Sequence, residues 1–236
     1  MIRKSIEKPA LLTPADLIPL RQVVGSSALD YARVIAAFHF MNRMADLLGV
    51  AHEILPDKLR SYKPLRRASI QLMGYFMTRM DLANRSYEIS YQQALAKITP
   101  VFEAVTGRAP QDEFENLRER TKLIEIIQLM LEERQSSTGL DKTTIIKIQR
   151  TVEAALPTGA AQTQGPLEHR DDPVEDFTTI GTRYSHRADS GLIEALRAAG
   201  YEDRSILDLA LTVAYANDWA RVYRLYGLDP NLFYLT

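Results

Sequence analysis

The 236-residue chain contains no cysteine, and that absence removes several chemistries at once. Disulfides, thiolate nucleophiles, cysteine metal sites and thiol peroxidase cycles all need sulfur. Histidine is scarce as well: His39, His52, His169 and His186 are the only ones. None has the histidine or acidic partner four residues away that a zinc-binding helix uses, so no metal site is expected. An excess of one charge is also missing. With 29 basic and 30 acidic residues the formal net charge is -1, which leaves no field to hold a polyanion and argues against a nucleic-acid partner. No apolar run reaches the roughly 18 residues of a membrane span, and the opening MIRKSIEKPALLTPADL has no hydrophobic signal core. Neither membrane insertion nor secretion is therefore expected, and the chain reads as cytoplasmic.

Strand-like alternation is almost absent, while apolar residues recur every three to four positions, so the fold class expected is all-α. At 46% hydrophobic content a chain of this length can bury a large core. Thr13 and Pro14 open a short helix ending near Gly25, and a long helix follows to Gly49. Shorter helices are expected over 53–59, 65–81 and 86–98, the last broken before Pro100, which starts another helix ending at Gly107. A long segment runs from Pro110 to about Arg134. The next helix, from Asp141 to Leu156, should bury Ile145, Ile146, Ile148, Val152 and Ala155. Residues 157–172 (PTGAAQTQGPLEHRDD) lose all periodicity and read as a mobile linker. Three helices complete the chain, over 173–186, 190–200 and 205–227. The organisation expected is an N-terminal helical repeat (1–60), a central helical segment (61–156), the linker (157–172) and a C-terminal helical repeat (173–236), the two repeats packing as one domain.

The repeat rests on two stretches. Residues 27–49 (SALDYARVIAAFHFMNRMADLLG) and 205–227 (SILDLALTVAYANDWARVYRLYG) align without a gap and share Ser27/Ser205, Leu29/Leu207, Asp30/Asp208, Ala32/Ala210, Ala36/Ala214, Arg43/Arg221, Leu47/Leu225 and Gly49/Gly227. The preceding LIEALRAAG echoes LIPLRQVVG near the amino terminus. Ser-x-x-Asp at each start suits a helix N-terminus, and each glycine suits a left-handed stop.

On a helical wheel Ala32, Ala36, His39 and Arg43 share one stripe, as do Ala210, Ala214, Asn217 and Arg221, and nearly everything else around both helices is apolar. Such helices are buried. His39, Asn42, Arg43 and Asp46 are thus expected to face the interior or a cleft, with Asn217, Asp218, Arg221 and Arg224 placed comparably. A buried arginine demands a partner, and the nearest acid to Arg43 in sequence is Asp46.

These two helices resemble the terminal helix pair of the alkylhydroperoxidase D-like and carboxymuconolactone decarboxylase superfamily. ILDLALTVAYANDWARVYRLYG and ALDYARVIAAFHFMNRMADLLGV carry the likeness, the second with the Asn42-Arg43 pair often seen there. The resemblance covers about residues 15–50 and 176–229; residues 60–160 match nothing. It implies a helical bundle with a pseudo-twofold internal repeat and assembly as a homo-oligomer. Peroxidase members carry a Cys-x-x-Cys-x-x-x-His constellation on this kind of helix, whose positions approximate Ala36, His39 and Arg43, and Ala214, Asn217 and Arg221. Without cysteine the peroxidase activity is excluded, and the decarboxylase branch's histidine motif is not clearly reproduced.

Two functions remain. In the first, the chain is a cofactor-independent enzyme acting on a small carboxylated or lactone-like molecule. His39 moves a proton, and Arg43, Asn42, Asn217, Arg221 and Tyr215 hold the substrate, guanidinium forks matching a carboxylate. In the second, it is a non-catalytic oligomeric binding or scaffold protein. Met73, Met77 and Met80, with Tyr75, Tyr87 and Tyr91, suit either a ligand cavity or a subunit contact.

Overall fold

The computed structural model describes residues 1–49, 89–136 and 139–228. The helices expected over 53–59 and 65–81, and the apolar tail after Leu228, lie outside the described residues. Every regular element among them is helical: α1 (Ile2–Glu7), α2 (Ile18–Val24), α3 (Ala28–Leu47), α4 (Tyr91–Thr106), α5 (Thr121–Ser136), α6 (Lys142–Ala155), α7 (Ala161–Gln164), α8 (Pro173–Arg183), α9 (Ser190–Ala198) and α10 (Asp203–Tyr226), joined in places by single 3-10 turns. The chain is all-α. Among the described residues no helix is long and apolar enough to cross a membrane.

Helix ends follow side-chain chemistry. Asp141 Oδ1 accepts the Thr144 N–H at 2.9 Å, and Asp172 Oδ1 accepts those of Val174 and Glu175 at 2.9 and 3.0 Å. Both carboxylates satisfy amides that the first helical turn leaves free. Ser90 and Gln93 cap α4 reciprocally, the Gln93 amide oxygen accepting the Ser90 N–H at 2.9 Å. At the other end of α4 and of α10, Gly107 and Gly227 take φ 74° and 73°, the left-handed region that stops a helix.

Three expectations about helix ends need correction. Pro100 sits inside α4 rather than opening a new helix. Its ring lies on the exposed side, while Tyr91, Ala94, Ile98 and Phe102 bury a continuous stripe through that point, so packing against α5 outweighs the missing amide. Ser205 does not cap α10, which begins at Asp203 after Glu202, and Ser27 makes no side-chain cap bond to α3. The matched carboxylates reach to other elements instead: Asp30 pairs with Arg120, and Asp208 Oδ2 accepts the Gly139 N–H at 3.2 Å. Residues 157–172 are also tied down more than a mobile linker would be. Pro157 O accepts the Ala10 N–H at 3.3 Å, Gly165 O accepts Arg187 Nη1 at 2.6 Å, and α7 adds a helical turn.

The core is centred on α10, which is buried around nearly its whole circumference, with Ile206, Leu209, Val213, Trp219, Val222, Tyr223 and Tyr226 all inside. It packs against α3, α6 and α8. Each such side chain, taken fully from water, stabilises the fold by about 1.5–3 kcal/mol. Of the expected buried side of α6, Ile145, Ile148, Val152 and Ala155 are buried and Ile146 is half-buried. The order of elements leading to the two long helices is similar: α1, 3-10 turns, α2 and α3 on one side; α8, a 3-10 turn, α9 and α10 on the other.

Candidate functional site

α3 and α10 lie against each other, and the polar residues of their shared interior engage the ends of α1 and α8. Arg43 is 7% exposed and Arg221 1%. Arg43 donates from Nε to Gly181 O and from Nη2 to Thr182 O, both at 3.1 Å, and from Nη1 to His39 O at 3.3 Å. Arg221 donates from Nε to Ser5 O at 3.1 Å and from Nη1 to Asn217 O at 2.7 Å. Gly181 and Thr182 belong to the last turn of α8, and Ser5 to the last turn of α1. Carbonyls there lack partners within their own helix and carry the negative end of its dipole, so they suit a buried cation.

The two sets are cross-linked. His39 Nε2 lies 3.1 Å from the hydroxyl of Ser5, whose carbonyl receives Arg221. Asn217, which aligns with His39, donates to the Thr182 hydroxyl at 3.0 Å, and the Thr182 carbonyl receives Arg43. Each long helix thus holds the hydroxyl residue whose main chain anchors the other helix's arginine. Arg33 completes the group, donating from Nη1 to both carboxylate oxygens of Asp218 at 2.9 Å.

Burial, with Arg221 and Arg43 adding repulsion, pushes the His39 imidazole down to about 2, so its ring is neutral. Burial lowers Arg43 to about 10, with Asp46 and Asp218 opposing. Arg221 is lowered well below the ordinary arginine value by burial and by Arg43, again with Asp218 opposing. Burial raises the Asp218 carboxyl, and Arg33 works against that rise.

The expected site residues separate into two groups. His39, Arg43, Asn217 and Arg221 belong to one hydrogen-bonded interior. Asn42 is exposed, one residue round the helix from the buried Arg43, and so does not face that interior. Tyr215 is half-buried and packs against Phe40, the ring centres 4.7 Å apart and the planes tilted by 42°. Arg43 turns to carbonyls; Asp46 acts on it through charge alone. Tyr223 and Arg224 both bind Glu153 of α6.

Sequence reasoning missed Ser5, Thr182 and Arg33. A lone cation on the apolar face of α3 was the available signal for Arg33; nothing in the sequence marked Ser5. The cavity of about 430 Å³ beside Lys97 and Glu125 and that of about 240 Å³ beside Arg150 and Arg183 are not lined by His39, Arg43 or Arg221. Among the described residues no group of three or more histidine, aspartate or glutamate side chains is placed to hold a metal.

No family model matches the chain, and neither a curated protein nor a solved structure does.

Proposed function

We propose that this chain is a non-catalytic helical binding or scaffold protein, related in architecture to the alkylhydroperoxidase D-like group and working as a homo-oligomer. One observation carries this reading: the polar residues best placed for chemistry are engaged internally. His39 is neutral and held by Ser5, and the guanidinium groups of Arg43 and Arg221 are turned onto main-chain carbonyls. A base with so low a proton affinity is a weak general base at neutral pH, and an arginine already bridging carbonyls must break those bonds to take a carboxylate.

The pairing of His39 with Ser5 and of Asn217 with Thr182 supports an internal pseudo-twofold repeat, since aligned positions on α3 and α10 do equivalent work. Self-association is supported by exposed apolar side chains gathered in the N-terminal part: Ile6, Leu11, Ile18, Val23, Tyr31, Phe38 and Met41. Such surface is expensive to leave in water and suits a subunit contact.

The test is gel filtration with multi-angle light scattering on the full chain, followed by the Phe38→Glu, Met41→Glu variant. A defined oligomer that dissociates in the variant while keeping its helical circular dichroism supports the scaffold reading. A wild-type monomer that turns over small carboxylates or lactones, with loss of turnover in His39→Gln, would restore the enzymatic one.

A further inference from the structure

A groove of about 240 Å³ lies between α6 and α8, lined by Arg150, Thr151, Arg170, Glu175, Thr179 and Arg183 among others. Neither Gly181 nor Thr182, whose carbonyls anchor Arg43, lines it, and the proposed scaffold role does not use it. Three guanidinium groups and the carboxylate of Glu175 line it, with Glu168 bound to two of the arginines. Arg183 is fixed by Nε to Ala155 O at 2.9 Å and by Nη1 to Glu168 at 2.8 Å, and Glu168 also draws in Arg170 at 3.8 Å. Arg150 has no acceptor and no carboxylate partner among the described residues, and neither does Nη2 of Arg183.

The threonines point the same way. A buried helical threonine usually returns its hydroxyl to the carbonyl four residues back. Thr99, Thr106, Thr178 and Thr212 all do so, at 2.6–2.8 Å. Thr179 does not: it is 2% exposed, lines the groove, and makes no hydrogen bond among the described residues. Thr151 on the opposing helix is likewise unbonded. Both hydroxyls are thus left to groove water or to a ligand that displaces it.

We infer that this groove binds the phosphate group of a small phosphomonoester, with Arg150, Arg183 and Arg170 on the phosphate oxygens and the Thr151 and Thr179 hydroxyls completing the set. A carboxylate has too few oxygens to occupy all of these donors, whereas phosphate has three terminal oxygens and about two negative charges at neutral pH. The volume lies below the range of drug-sized pockets, so the ligand is small. Glu175 sits where a hydroxyl of the ester's organic part can donate to it.

Isothermal titration of the full chain at physiological ionic strength tests this, using inorganic phosphate, methyl phosphate, glycerol phosphate and acetate as probes. Saturable binding of the phosphates, with acetate at least about tenfold weaker, is expected. Arg150→Gln and Thr179→Val should each weaken methyl phosphate by about tenfold, the size of one lost charge-assisted bond. Glu175→Gln should tighten methyl phosphate but not glycerol phosphate. Arg204→Gln, an exposed arginine that does not line the groove, should change nothing. No saturable phosphate binding, equal affinity for acetate, or equal loss in Arg204→Gln would overturn the inference. Arg150 is exposed, so its variant folds and keeps the test decisive even if Thr179→Val does not.

Discussion

Arg33 on α3 donates from one nitrogen to both carboxylate oxygens of Asp218 on α10, 185 residues along the chain, at 2.9 Å each. The acid is 1% exposed and the arginine side chain 21%. This pair does more than join two helices. Asp218 also attracts Arg43 and Arg221, neither of which has a carboxylate at ion-pair distance among the described residues.

Removing that carboxylate should therefore cost more than an ordinary ion pair. Asp218→Asn leaves Arg33 half-desolvated and lets Arg43 and Arg221 repel each other unscreened. A loss of about 3–5 kcal/mol of unfolding free energy is expected, in the range for breaking a buried pair. Urea unfolding measures it, and a double-mutant cycle with Arg33→Gln separates the direct pair from the wider field. A loss below about 1 kcal/mol, typical of a surface pair, would contradict this account.

His39 predicts a pH dependence with a definite sign. Its proton affinity is depressed in the folded state, to about 2, against the usual 6.5. The unfolded chain therefore binds a proton that the folded one does not as pH falls below 6.5. Its contribution is fully present above 6.5 and is progressively lost towards pH 2. Between pH 6.5 and 4.5 the loss should amount to about 1–3 kcal/mol. The carboxyls held low by their partners, such as Asp16 and Asp172, add their own losses only at more acidic pH. Asp218, raised by burial, works in the opposite sense, gaining stability as pH falls. His39→Gln should therefore lose less in thermal midpoint than the wild type across that window; an unchanged slope would show that His39 titrates normally.

Gly181 is tight in a way that its sequence neighbours do not reveal. A Cβ at this position would meet both δ-methyls of Leu47 at 3.0 Å and Val213 Cγ1 at 3.2 Å. The same residue's carbonyl receives Arg43. Gly181→Ala should push α8 away from α3 and α10 and destabilise by about 1–3 kcal/mol, the usual cost of overpacking. Differential scanning calorimetry checks this, and a rise in the melting temperature would contradict it.

How much of this was legible in the sequence differs from level to level. The helical class followed from periodicity, and Asp141, Gly107 and Gly227 marked their helix ends because capping is local chemistry. The inward position of Arg43 and Arg221 followed from the small-residue stripe Ala32, Ala36 and Ala210, Ala214, all buried. The partners did not follow. Asp46 was the near acid in sequence, but a helix terminus 138 residues away offered free carbonyls in better geometry. Ser5, a single hydroxyl on a six-residue helix, has no periodic context that would single it out. The aligned serines and aspartates misled for the opposite reason: a cap pattern is local, yet Asp30 and Asp208 were taken up by tertiary partners. Leu29 and Leu207 show the limit of the repeat, one 2% exposed and the other 42%. Identical letters there meet different surroundings.

The central claim is that the two buried arginines hold helices together through main-chain carbonyls and are not reserved for a ligand. The most direct test is the urea unfolding free energy of Arg43→Lys and Arg221→Lys at pH 7. Lysine keeps the charge but cannot span carbonyls as the guanidinium fork does. Each variant is expected to lose about 2 kcal/mol or more, on the order of the charge-assisted bonds forgone. Wild-type stability in both variants would contradict the account.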